Sequence, residues 1–138
     1  MITPAFFIAA SAAVLFGLGM MHLVFTFKGP KFDPRDPALK ARMMAVSPVI
    51  SRETTMWRAW TGFNASHSFG AMLFGAVWAY LALLHPLFLF QSFFLLGLGL
   101  LLLVAYVVLG KVYWFSIPFH GILLATVLYG LGLLAYFV

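Results

Sequence analysis

Three of the chain's four histidines, His22, His67 and His120, stand inside long apolar runs, each on a different run. Polar side chains in hydrocarbon are costly, so they normally face other protein groups or a cavity. Around His67 the polar residues cluster. At ~100° per residue, Trp57, Trp60, Thr61, Asn64, His67, Ser68 and Ala71 share a helical sector about 120° wide. His22 has Thr26 one turn away and Ser11 on the same face. Tyr113, Ser116 and His120 follow one another at i, i+3 and i+7. Arg58 lies just before the His67 sector, toward the polar end of its run.

Such a set supports three kinds of chemistry. Arg58, Trp60, Asn64, His67, Ser68, Tyr113, Ser116, His120 and His22 can line a site for an amphiphile, whose tail lies between helices and whose head meets the polar groups. A membrane lipid, a quinone or an isoprenoid fits that description. Alternatively, neutral imidazole ligates haem b or a metal ion, with His22, His67 and His120 as candidate ligands and an electron-transfer role. Thirdly, the polar groups can lock helices together in a structural or assembly subunit, as a homo-oligomer or within a larger membrane complex. Other chemistries are disfavoured. Asp33, Asp36 and Glu53 are the only acids and none is deep in an apolar run, which leaves no carboxylate pair and no acid for a Ser-His-Asp triad at Ser66-His67-Ser68. There is no Gly-rich phosphate loop and no HExxH. Without cysteine there is no thiolate site or disulfide.

The elements that would position these residues are membrane helices. The chain is 64% apolar and 8% charged, with mean hydropathy +1.08, whereas a soluble domain carries about 25% charged residues. About 20 apolar residues cross ~30 Å of hydrocarbon. The expected fold is all-α, a transmembrane bundle of four antiparallel helices over about 3–27, 53–84, 87–109 and 113–138, in a single domain. Residues 28–52 form a polar loop. Within it, Asp36-Pro37 reads as a helix start with Asp as N-cap. Leu39, Met43, Val46 and Ile50 then form an apolar stripe, so a short amphipathic helix from Asp36 to Ser47 is expected on the membrane surface. Ser51 is the expected cap of the second long helix. His85-Pro86 and Gly110-Lys111 are expected turns. Pro118 is expected to kink the fourth helix and free the carbonyl of Trp114. The third helix is expected to be a lipid-facing scaffold, with Tyr106 its one sizeable interior polar group. The first run is too long, and lacks the leading basic residues, for a cleaved signal peptide.

The net charge of +5 is concentrated in the first connection, with Arg58 and Lys111 on the same predicted side. That explains the basicity by membrane orientation rather than by nucleic acid. By the positive-inside rule this side is cytoplasmic and both termini face away from the cytoplasm. His22, His67 and His120 then fall at depths of about 7, 15 and 10 Å from that side, at ~1.5 Å per residue.

Two segments carry a resemblance: FKGPKFDPRDPALKARM from Phe27 to Met43, and SPVISRETTMWRAWTGFNASHSFG from Ser47 to Gly70. The chain resembles a family of small uncharacterised bacterial integral membrane proteins with four helices. Its most specific part is Trp57-Arg58-Ala59-Trp60 through Gly62-Phe63-Asn64-Ala65-Ser66-His67. The resemblance implies a bacterial inner-membrane location and no particular reaction.

Overall fold

A computed structural model of the chain describes residues 2–138. Six helices follow in order: α1 (Ile2–Phe27), α2 (Pro37–Ala45), α3 (Met56–Leu84), α4 (Pro86–Gln91), α5 (Phe93–Tyr113) and α6 (Ser116–Phe137). No strand occurs among the described residues. Thr3–Phe27 of α1, and all of α3, α5 and α6, are long and apolar enough to cross a membrane. Even the shortest of them, the 21 residues of α5, reaches about 32 Å, just over the ~30 Å of the hydrocarbon layer. The all-α class and the four membrane-length helices are therefore as expected, with two shorter helices beside them.

Local chemistry sets the boundaries, and several differ from expectation. The second long helix starts at Met56, not near Glu53, because Thr55 rather than Ser51 caps it: the Arg58 N–H donates to Thr55 Oγ1 at 3.3 Å. Ser51 instead accepts from the Glu53 N–H at 3.2 Å in a local turn. The third long helix is interrupted at Ser92, whose hydroxyl accepts the Leu95 N–H at 3.2 Å and opens α5. Gly110-Lys111 is not a turn. The helix runs through both to Tyr113, with Lys111 in its last turn, where a cation suits the helix dipole. Tyr113 therefore closes α5 instead of opening the fourth long helix. Pro118 makes no kink. It is the third residue of α6, in the first turn, where its missing N–H had no helical partner to lose. Trp114 lies outside α6, so no helical bond to its carbonyl is broken.

The chain forms two compact units: Gly19–Gly70, and the chain on either side of it. In the latter, Ile8, Ala12 and Leu15 of α1, Ala71, Phe74, Trp78 and Ala82 of α3, Leu96 and Leu103 of α5, and Ile122, Ala125 and Tyr129 of α6 form the core. Their spacing of three, four or, in α5, seven residues places each set on one helix face. Lipid tails are as apolar as leucine, so these helices must hold together by close packing and by hydrogen bonds. Gly75 supplies the first. A Cβ there would overlap Phe16 and the Ala12 carbonyl, so its absence lets α3 lie against α1. Ser11 supplies the second, donating to the Ala125 carbonyl of α6 at 2.7 Å.

A buried polar node adds to both. Trp78 Nε1 donates to Tyr129 Oη at 3.1 Å, and Tyr129 Oη donates to the Leu96 carbonyl at 3.0 Å. The three groups come from α3, α6 and α5, so α5 is a packed member of this unit and not a bare lipid-facing scaffold. Gly99 of α5 makes room for the node, since a Cβ there would overlap the Tyr129 hydroxyl and the Trp78 indole nitrogen. Gly97, two residues earlier, faces open space. Gly99→Ala should therefore lower stability by about 1–3 kcal/mol, as overpacked sites do. Gly97→Ala should leave the thermal unfolding midpoint in detergent unchanged or raised. Equal midpoints for the two variants would contradict the packing described.

Candidate functional site

The Gly19–Gly70 unit consists of the last part of α1, the polar segment with α2, and the first half of α3. The end of α1 dictates the path of the segment. The Lys28 N–H closes the helix on the Val24 carbonyl at 2.8 Å, and Gly29 then adopts φ 81°, a left-handed conformation that glycine takes without strain. Pro30 and a turn from the Asp33 N–H to the Pro30 carbonyl follow. The chain doubles back, and the Phe32 ring comes to rest 4.5 Å from the His22 ring, centroid to centroid.

Two contacts hold this return in place. Trp60 Nε1 donates to the Phe32 carbonyl at 3.2 Å. Lys40 of α2 pairs with Asp33 at 2.7 Å and also lies over the Trp57 ring, 4.7 Å from its centroid. The ion pair is partly exposed and contributes about 0–1 kcal/mol on its own. Its larger effect is geometric, because one ammonium ties the segment, α2 and α3 together. At the start of α2 the Asp36 carboxylate caps the helix by accepting the Ala38 N–H at 2.9 Å, with Pro37 in the first position.

Beneath this roof, His22, Asn64 and His67 come together. His22 Nε2 and Asn64 Oδ1 are 3.0 Å apart, and the His67 ring meets the His22 ring edge-on at 5.1 Å. The Asn64 amide settles which atom donates. Its Nδ2 donates to the Trp60 carbonyl at 2.9 Å, so its oxygen must face His22, and His22 must carry its proton on Nε2. Other hydroxyls are satisfied within their own helices: Thr26 on the His22 carbonyl, Thr61 on that of Trp57, and buried Ser68 on that of Asn64. Beside the trio a small cleft opens, with aromatic walls of Phe25, Phe32, Trp57 and Trp60 and polar groups from Thr26, Asp33, Thr61 and Asn64. Its interior is about 10 Å³, room for about one water molecule.

Among the other residues expected at the site, Trp60 lines the cleft while Arg58, Tyr113, Ser116 and His120 do not. Arg58 and Trp60 are exposed on α3, and the Arg58 guanidinium makes no hydrogen bond or ion pair among the described residues. Tyr113, Ser116 and His120 belong to the other unit and are exposed, with the His120 ring against Phe119. Among the described residues, no group of three or more His, Asp or Glu side chains is arranged to hold a metal ion. Phe32 and Asp33 are cleft residues that sequence reasoning missed. A signal existed for Phe32, the only aromatic residue between Lys28 and Thr55.

Taken together, four membrane-length apolar helices support a multi-pass membrane protein, and its polar trio and cleft lie at the junction of α1 and α3 with the polar segment. Comparison with protein-family models, curated proteins and solved structures found no match to the chain.

The tautomer assignment is open to test. In protein carrying ¹⁵N-histidine, the His22 imidazole should show a protonated Nε2 and an unprotonated Nδ1 in neutral detergent solution. Asn64→Leu removes the acceptor and should abolish that preference. It should also cost about 1–3 kcal/mol through the partners left unpaired. An Nδ1–H form in the native protein would contradict the network.

Proposed function

We propose that the protein binds a membrane amphiphile with an anionic head group, the head meeting the aromatic and polar mouth of the cleft at Trp60 and Asn64. The tail then lies along the apolar helices. The observation that carries this reading is the cleft itself: aromatic walls around one amide and two hydroxyls, where two long apolar helices meet a basic segment. Lys28, Lys31, Arg35, Lys40, Arg42, Arg52 and Arg58 face three acids, Asp33, Asp36 and Glu53, so residues 28–58 carry seven positive and three negative charges, a net +4. Each basic residue near an anionic leaflet is worth about 1 kcal/mol of attraction. Lys40 neutralises Asp33, so the acid in the cleft wall does not repel an anionic head. The basic segment also supports the cytoplasmic face as its location, with both termini on the opposite face. The family resemblance supports a bacterial inner membrane. The bond to Asn64 occupies Nε2 of His22, so a haem or metal ion at this residue would have to use Nδ1.

The size of the cleft favours a second reading. Ligand pockets for drug-sized molecules occupy about 300–1,000 Å³, and this interior admits about one water. An amphiphile head must therefore sit at the mouth, outside the cleft. If it does not, the trio is a helix lock in a structural subunit.

Lipid analysis of detergent-purified protein separates the two. The reading predicts several-fold enrichment of phosphatidylglycerol over phosphatidylethanolamine relative to the membrane of origin. It also predicts loss of that enrichment in Asn64→Leu and in the triple variant Lys28→Gln/Lys31→Gln/Arg35→Gln. The lock reading predicts no enrichment in the native protein and no effect of the triple variant; the lower unfolding temperature of Asn64→Leu is common to both readings.

A further inference from the structure

We propose that residues 46–55 form a finger whose tip, Val49 and Ile50, inserts into the head-group layer of the bilayer crossed by α1 and α3. This goes beyond the head-group cleft and does not rest on it, needing only the membrane assignment. The finger is closed at its base, where the Met56 N–H donates to the Val46 carbonyl at 2.8 Å. That bond ties both ends of the finger to the start of a membrane-length helix. At its tip the Ser51 N–H donates to the Pro48 carbonyl at 3.3 Å, a turn that thrusts the two aliphatic side chains outward. Val49 and Ile50 are 109% and 93% exposed, the most exposed large hydrophobic residues among those described apart from the terminal Val138.

Single exposed apolar residues are ordinary on any protein surface. Here two β-branched side chains stand side by side on a turn closed by two hydrogen bonds, and nearby Met44 and Val46 are exposed as well. Arg42 precedes the base of the finger, and Arg52 and Glu53 follow its tip; all three are exposed and make no ion pair among the described residues. Aliphatic side chains at the tip of a turn, in a stretch (residues 28–58) of net charge +4, match an interface that is apolar below and anionic above. That charge pattern selects a lipid surface over an apolar groove on another protein. The finger then acts as an anchor beside the polar segment, holding it at a set height above the cleft.

The chain contains no cysteine, so one introduced cysteine is a unique label site. Full-length Val49→Cys, Ile50→Cys and Arg35→Cys would each carry a nitroxide in vesicles of phosphatidylglycerol and phosphatidylcholine. Collisions with apolar oxygen and with a water-soluble nickel chelate then report depth. Labels at positions 49 and 50 are expected to favour oxygen and the label at position 35 to favour nickel, with the tip labels moving outward in vesicles of phosphatidylcholine alone. Nickel access at 49 and 50 equal to that at 35 would overturn the proposal by placing the tip in water. Shielding from both reagents would overturn it in favour of a protein contact.

Discussion

A polar side chain on an apolar helix needs a bonding partner, and the Asn64 amide is the piece on which the polar end of this chain depends. Its nitrogen is committed to the Trp60 carbonyl one turn back, which turns its oxygen toward His22 and determines the proton on that imidazole. The same bond joins α1 to α3. Phe32 and His67 then complete the surroundings of the His22 ring. The other unit meets the same constraint with different residues. There an indole N–H, a phenol and a backbone carbonyl satisfy one another, and Gly99 makes the space. Among the described residues no buried side-chain nitrogen or oxygen is left without a partner, as hydrocarbon requires.

The two polar sites differ in what surrounds them. The Trp78–Tyr129 node is enclosed by core residues. The His22–Asn64–His67 trio is only half buried and lies beneath a segment rich in charge. Gly29, the Asp33–Lys40 pair and the Trp60 bond to Phe32 give that segment a definite path, so the cleft has a built rim. On the proposed function, a charged head group meets a rim whose path these contacts already define.

Much of this was legible in the residues. Four apolar runs with few charges define four membrane-length helices, and Asp36-Pro37 announces the helix that it caps. The wheel around His67 groups Trp60, Asn64 and Ser68 on one side, and Asn64 does meet His22. What escaped is specific. Gly110-Lys111 looks like a turn because glycine and a charge interrupt a leucine run. In hydrocarbon the backbone must stay hydrogen-bonded, so the helix continues to Tyr113. Pro118 looks like a kink only if the helix starts early; with the turn moved to Trp114-Phe115 it falls in the first turn. Ser92 and Thr55 displaced the expected boundaries because a hydroxyl caps a helix only where the chain path lets it reach a free N–H. The roles of Phe32 and Asp33 depend on a left-handed Gly29, a backbone state that glycine permits but does not require.

Asn64 is the only asparagine in the chain, so ¹⁵N in its side-chain amide gives one unambiguous signal. It lies eight residues into α3, about two turns or ~12 Å along the helix from its start. Solid-state NMR in phosphatidylglycerol bilayers can measure whether lipid ³¹P dephases that signal. Head-group binding at the cleft predicts dephasing at Asn64 that disappears in Lys28→Gln/Lys31→Gln/Arg35→Gln. An Asn64 signal untouched by phosphorus in the native protein would contradict it.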